Sequence, residues 1–384
     1  MNEVEVYPAP LEVKKSFDVK NDGAEMTDWE LGFLCGLIRE YKPNKIVEVG
    51  VAAGGTTAIV LNCLSLLKIK AEMYSIDLNS RYYRDDRYET GYLVNNISDK
   101  ITTKHTFCLG GLSTDYVEQI GKNIDFLILD TAHSLPGELL DFLTFVPFLK
   151  DGAVVVLHDI ALSHLVAEPR NWFATKLLMD LVDADKLYQI NPEYGMPSIG
   201  TFVVTEETRN CVPDILKALQ MKWNYMPTDQ QMQSYRLFFE KIYGDSFKAD
   251  FELAVNMNQY SFYKQKKSMQ KKTMDTIQSL ISLIRKIDGR EFYIYGKGVV
   301  AIELSKILCM QGLTCEKYIL SDDKVLSLQE DDKICISRVP KSALIIIGVS
   351  DRYRDEIYTY LVEKKYQNII CLDNNIVNFI MDNC

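Results

Sequence analysis

The chain reads as an α/β protein of two domains, on three observations. From about residue 28, helical patterns alternate with short β-branched runs; the stretch from 207 to 288 is helical and amphipathic; and at 291 the alternation begins again. With 384 residues and 47% apolar content, the chain can fill two cores without staples. The expected division is 1–206, a helical linker over 207–288, and a small α/β domain over 289–384.

The first five strands are expected at 45–50 (KIVEVG), 72–77 (EMYSID), 104–109 (KHTFCL), 124–130 (IDFLILD) and 153–158 (AVVVLH). Two later runs, 187–190 and 200–205, flank a loop containing "NPEYGMPS", which suits an antiparallel hairpin closing one sheet edge. In the helical stretch, Met269, Ile277, Leu280, Ile281 and Ile284 can share one face while the lysines meet water. That face can pack on its own protein, join two domains or support self-association into a homo-oligomer. The second alternation comprises "EFYIYG", "CEKYILSD", "ALIIIGVS" and "NIICLD", with helices between.

Composition narrows the partners. There are 53 acidic against 43 basic residues, a formal net charge of −10, and no clustered basic face, so nucleic acid is not expected. The N-terminus lacks the basic and apolar regions of a secretion signal, and no apolar run reaches the ~20 residues of a membrane helix. Nine scattered cysteines without a C-x-x-C pair read as reduced thiols, which fits a cytoplasmic protein.

The stretch "KIVEVGVAAGGTT" carries the first chemistry. A buried strand running into Gly50, Gly54 and Gly55 and then a helix lets backbone amides approach a ligand closely. There is no Gly-Lys-Ser/Thr for a triphosphate, and the spacing departs from G-x-G-x-x-G. Asp77 ends the next strand at the same sheet edge, where it can accept from two ribose hydroxyls; NAD would also satisfy that geometry.

"VEVGVAAGGTT" followed by "YSIDLN" resembles motifs I and II of class I S-adenosylmethionine-dependent methyltransferases. "IDFLILDTAHSLPGELLDFLTFVPFLKDGAVVVLHDI" resembles a block in the group that includes macrolide sugar O-methyltransferases and cephalosporin-hydroxylase-like proteins. The resemblance covers residues 28 to 206. It implies a Rossmann-like seven-stranded sheet of order 3-2-1-4-5-7-6. It also places Gly50, Ala52 and Gly54 against the methionine part of the cofactor, Glu48 near its amino group, Asp77 at the ribose, and Gly110, Gly111 and Leu112 near the adenine. The family often has an acidic or polar residue in that last loop, where this chain offers only Ser113.

Asp130 ends the fourth expected strand, and His158 and Asp159 end the fifth. Oxygen donors with an imidazole suit Mg²⁺, Mn²⁺ or a similar divalent ion. The resemblance implies that Asp130, His158 and Asp159 hold that ion beside the acceptor hydroxyl, and that His133 acts as general base, with His158 alternatively orienting Asp159. His105 reads as a strand residue and His164 as a loop residue. The acceptor pocket is expected from the N-terminal segment, the loop after Asp159 and the "NPEYGMPS" loop, with Arg170, Trp172 and Tyr194 as candidates.

In the last domain, Gly296, Gly298 and Ala301 follow a strand in G-x-G-x-x-A spacing, with Asp322 placed for a ribose. They suit a second nucleotide site or a packing module. The expected function is metal-assisted O-methylation of a small polyhydroxylated acceptor. An NAD(P)-dependent sugar oxidoreductase or epimerase, and a non-catalytic nucleotide-binding scaffold, are the alternatives.

Overall fold

The computed structural model describes residues 3–17, 26–166, 171–192, 195–286, 292–310, 312–313, 315–320, 333–349, 351–372, 374 and 377. They form two units, Met1–Ser261 and Phe262–Cys384.

Unit 1 is built on a seven-stranded sheet of order β3-β2-β1-β4-β5-β7-β6. Helix α1 (Asp28–Tyr41) leads into β1 (Lys45–Val49), α2 (Gly55–Leu66), β2 (Glu72–Asp77), β3 (Lys104–Leu109), α3 (Ser113–Ile120), β4 (Ile124–Leu129), α4 (Gly137–Phe145) and β5 (Leu149–His158). After α5 (Leu162–Leu165) and α6 (Ala174–Leu181), β6 (Lys186–Asn191) and β7 (Met196–Val203) pair antiparallel, and β7 joins β5 antiparallel. Strands β1 to β5 pair parallel, so all five end at one edge. The sequence-predicted strands and terminal hairpin are all present. β4 is buried at every position, as a central parallel strand covered on both faces must be.

The segment expected as a linker divides instead. Helices α7 (Glu206–Asn210), α8 (Val212–Ala218) and α9 (Asp229–Tyr243) belong to unit 1, and α10 (Asp245–Lys286) spans the division. The cause is aromatic: Tyr235, Phe238, Phe239, Phe247 and Phe251 form a buried, largely edge-to-face ring cluster that needs a partner surface. Tyr243 donates to Leu143 O (2.6 Å), and Ser234 donates to Asp115 (2.8 Å), tying α9 to α4 and α3. Residues 3–17 pack on α1 and α2, with Tyr7 N donating to Gly32 O and Asn62 donating to Pro10 O, rather than lining an acceptor pocket.

Unit 2 is a five-stranded parallel sheet of order β10-β9-β8-β11-β12. Its strands are β8 (Phe292–Tyr295), β9 (Tyr318–Leu320), β10 (Lys333–Cys335), β11 (Leu344–Ile347) and β12 (Asn368–Cys371), with α11 (Val299–Met310) and α12 (Asp351–Glu363). Alternation along β8 sends Phe292 and Ile294 to one core, Tyr293 and Tyr295 to the other. Ile277, Leu280, Ile281 and Ile284 join the first core, so their shared face packs on unit 2 itself; the Met269 side chain lies outside the described residues. Gly296 has φ +97°, as its turn requires, and Ala301 is fully buried where α11 crosses Gly348. Asp322 lies outside the described residues.

The described cysteines are all free, and no described helix is long and apolar enough to cross a membrane.

Candidate active site

The turn after β1 is the first wall of the site. Gly50 has φ +94°, and a Cβ there would overlap the carbonyl oxygen of Asp130; Gly54 has φ +87°, and its Cβ would lie 2.6 Å from Gly91 Cα. Only glycine fits either place without strain. Ala52, between them, holds φ +49°. What supports that backbone is Asp77: its Oδ2 accepts from Val51 N (3.0 Å) and Ala52 N (3.1 Å), and its Oδ1 from Asn79 N (2.8 Å). The carboxylate expected at a ribose is therefore also the clamp of the glycine turn.

Glu48 lies fully buried beneath this turn and does not line the cleft. Thr57 donates to its Oε2 (2.7 Å), while Oε1 has no partner. Burial pushes its carboxyl up to about 7 against hydrogen bonds from Thr57 and Ser75. The folded chain thus keeps a proton that the unfolded chain releases near pH 4.5, so Glu48 costs stability as pH rises from about 5 to 7, by about 3 kcal/mol in full. Asp141, pushed up to about 7 by burial, acts with the same sign in the same window. Glu48→Gln is expected to reduce, not abolish, the fall in urea midpoint between pH 5 and 8; an unchanged slope would refute this.

A cleft of about 500 Å³ opens above the turn. One wall is Gly50, Ala52 and Asp77; Gly111, Leu112 and Ser113 lie at a second, and Asp130, His133, Asp159 and Trp172 at a third. Gly110 keeps φ +79° at the end of β3, and Gly54 supports the turn from below; neither lines the cleft. Ser113 donates to Asp141 on α4 (2.7 Å), and Asp141, Tyr225 and Tyr235 complete the lining.

The carboxyl ends of β4 and β5 bring four groups together: Asp130, His133, His158 and Asp159, whose donor atoms all lie within 4.8 Å of one another. His158 Nδ1 is 2.9 Å from Asp130 Oδ1 and 3.6 Å from Asp159 Oδ2. His133 Nε2 is 3.4 Å from Asp130 Oδ1 and 3.3 Å from Asp159 Oδ2. The backbone is unusual here, with φ +49° at His133 and +61° at Asp159, strain of about 1–3 kcal/mol each. Burial alone would raise the Asp130 carboxyl, but the neighbouring imidazoles outweigh it and hold it far below the usual range. Burial alone would lower both imidazoles, and the surrounding acids reverse this, raising His158 strongly and His133 as well.

Three acids absent from the sequence expectations belong to this site. Glu30, from the first turn of α1, reaches His158 Nε2 (3.5 Å); Glu138, on α4, lies 4.0 Å from His133 Nδ1; Asp141 is one turn further along α4. His105 pairs with Ser75 on the sheet (3.0 Å), burial lowering it to about 4, and His164 is on α5 away from the cleft lining. Arg170 and Tyr194 lie outside the described residues.

Residues 47–160, which hold the glycine turn, Asp77 and the whole acid and histidine cluster, match the family described as a methyltransferase domain. Those residues of unit 1 form a methyltransferase domain. The methyltransferase domain's strand order is the one the resemblance implied. Among solved structures the chain is similar to the O-methyltransferase TomG from Streptomyces achromogenes, involved in tomaymycin synthesis, in complex with SAM (17% identity, TM-score 0.38, 53% of this chain and 92% of that one). It is also similar to an O-methyltransferase from Bacillus cereus in complex with SAH (15% identity, TM-score 0.36, 52% and 98%). A third is SAH-bound PaMTH1 from Podospora anserina (12% identity, TM-score 0.38, 53% and 91%). Comparison with curated proteins found no match.

Proposed function

We propose that this methyltransferase acts on oxygen, moving the donor's methyl group to a hydroxyl of a small polyhydroxylated acceptor, such as a sugar or glycosylated metabolite, with a divalent cation at the acid and histidine cluster. One observation carries the reading: a single cleft has the glycine turn and Asp77 on one wall and Asp130, His133 and Asp159 on another. The donor, S-adenosylmethionine, lays its methionine part against Gly50 and Ala52, with Gly54 and Glu48 acting on it only through the turn they support. Its ribose meets Asp77, and its purine lies beside Gly111 and Leu112, with Gly110 shaping only the turn that precedes them.

The cluster fits a cation on its own chemistry. Asp130, Asp159, Glu30 and Glu138 surround two imidazoles, and no lysine or arginine pairs with any of the four among the described residues. Asp130, His158 and Asp159 would hold it. Bound there, a cation lowers the pKa of an acceptor hydroxyl and screens the charge that develops on its oxygen. The chain's own part is alignment, since methyl transfer is an in-line displacement and held geometry supplies much of the rate. The hydroxyl's proton leaves to the cleft side of the cluster, where His133 and Asp159 stand. Trp172, an exposed indole in the cleft lining, would stack on a sugar ring.

Asp141 supplies the acid that the loop after β3 lacks. With Ser113 on one oxygen, its carboxyl can accept from the purine's exocyclic amine in either protonation state. Asp141→Asn, whose amide can instead donate to a 6-oxo group, is expected to narrow the preference for S-adenosylhomocysteine over S-inosylhomocysteine by about 10-fold or more. An unchanged ratio would remove Asp141 from purine recognition.

The reading is tested by incubating the chain with labelled S-adenosylmethionine and a panel of sugars and glycosylated metabolites. The expected result is an O-methylated product whose formation stops on chelation and resumes with a divalent ion. Transfer to nitrogen or carbon, or full activity in chelator, would contradict it.

A further inference from the structure

Two buried glutamates stand behind the two histidines. Glu30 is fixed by the backbone N–H and hydroxyl of Thr27, both donating to Oε2 at 2.8 Å, and that same oxygen faces His158 Nε2 at 3.5 Å. Glu138 receives the Thr131 hydroxyl on Oε2 (2.8 Å), 4.0 Å from His133 Nδ1, and Thr175 Oγ1 lies 3.3 Å from the same nitrogen. The second oxygen of each glutamate is buried without a partner. The outer nitrogen of His158 thus faces the Glu30 carboxylate, that of His133 meets the Thr175 hydroxyl with the Glu138 carboxylate next beyond hydrogen-bond distance, and the other nitrogen of each faces Asp130 and Asp159. A neutral ring held this way donates its outer N–H and presents its inner lone pair.

The inner atoms close a ring: Asp130 Oδ1 to His158 Nδ1 2.9 Å, His158 Nδ1 to Asp159 Oδ2 3.6 Å, Asp159 Oδ2 to His133 Nε2 3.3 Å, and back to Asp130 Oδ1 3.4 Å. Donors bound at about 2.1 Å stand about 3.0 Å apart around an octahedral ion and about 3.4 Å apart around a tetrahedral one. The observed edges bracket those separations, and His133 sits in the ring on the same terms as the other three.

We propose that His133 is a fourth metal donor rather than the base, that Glu30 and Glu138 are positioning residues turning both lone pairs inward, and that this two-nitrogen, two-oxygen set prefers Mn²⁺ or Zn²⁺ to Mg²⁺. The inference rests on the divalent-cation reading above. Imidazole nitrogen suits borderline ions, whereas Mg²⁺ favours oxygen and retained water. Asp159 is the most exposed of the four at 24%, on the side that opens to the cleft.

The test is direct Mn²⁺ binding to the full chain with S-adenosylhomocysteine present, Mg²⁺ as competitor, and electron spin echo detection of nitrogen couplings. The wild type is expected to prefer Mn²⁺ by on the order of 100-fold and to show two imidazole couplings. His133→Ala should show one coupling and lose most of the preference. Glu30→Ala and Glu138→Ala should each weaken Mn²⁺ binding by about 10–100-fold without changing S-adenosylhomocysteine affinity; E30Q and E138Q, which keep volume and an acceptor oxygen, should recover much of it. Equal Mg²⁺ affinity, two couplings in His133→Ala, or wild-type Mn²⁺ affinity in both glutamate-to-alanine variants overturns the proposal. A wild type that takes no ion overturns the cation reading and this inference with it.

Discussion

Asp159→Asn is expected to lower methyl transfer by about 10²–10³-fold while S-adenosylhomocysteine affinity stays within about threefold of wild type. The substitution is near-isosteric, and asparagine tolerates the left-handed backbone that Asp159 holds at φ +61°, so the fold has no reason to move. What disappears is charge. Asp159 Oδ2 lies within 3.6 Å of both imidazoles and lines the cleft, so on the proposed reading its loss removes a cation ligand from the acceptor side while leaving the glycine turn untouched. A single-turnover assay with calorimetric donor binding separates transfer from donor affinity. If donor affinity fell in step with turnover, Asp159 would belong to the donor's site instead.

Gly50→Ala is expected to destabilise unit 1 by about 3–5 kcal/mol and to abolish donor binding in whatever fraction still folds. Two costs combine at this position. The backbone is held at φ +94°, where an L-residue is strained, and the added methyl would occupy the space of the Asp130 carbonyl oxygen. Asp130 N donates to Val49 O (2.9 Å), so β4 cannot retreat without breaking the ladder that carries the cluster. Gly121→Ala is the control: φ is +76° and ψ −178° there, a conformation that also favours glycine, but nothing lies within 4 Å, so strain acts alone at about 1–3 kcal/mol. Thermal melts should therefore show a drop of about 10 °C at Gly50 and a smaller one at Gly121. Equal drops would mean that the close approach of β1 and β4 is not what demands glycine.

Much of the site's wall was readable because its signals are local. A strand ending in glycine and a strand ending in aspartate are short patterns, and parallel pairing places both ends at one edge; the same logic found Asp130, His158 and Asp159. The terminal hairpin was likewise visible in two apolar runs around a proline- and glycine-bearing loop. Glu30 was not readable, because Thr-Asp-Trp-Glu reads as a helix start and its contact with His158 spans 128 residues. Glu138 and Asp141 had a signal: two acids three residues apart in the otherwise apolar "GELLDFLTF", where charge must be buried if the helix packs. Glu48 was expected at the ligand, yet the pleat turns it under the turn toward Thr57 on α2. The division at Ser261 was hidden because amphipathicity announces a covered face without naming what covers it.

The central claim is that the glycine turn, with Asp77 beside it, grips one adenosyl donor. Isothermal calorimetry of the full chain with S-adenosylhomocysteine, repeated in saturating NAD⁺ and with Asp77→Ala, tests it most directly. The structure predicts one site per chain on unit 1, undiminished by NAD⁺ and weakened by on the order of 100-fold or more when Asp77 no longer holds the turn. No heat from S-adenosylhomocysteine, or its displacement by NAD⁺, would contradict the account.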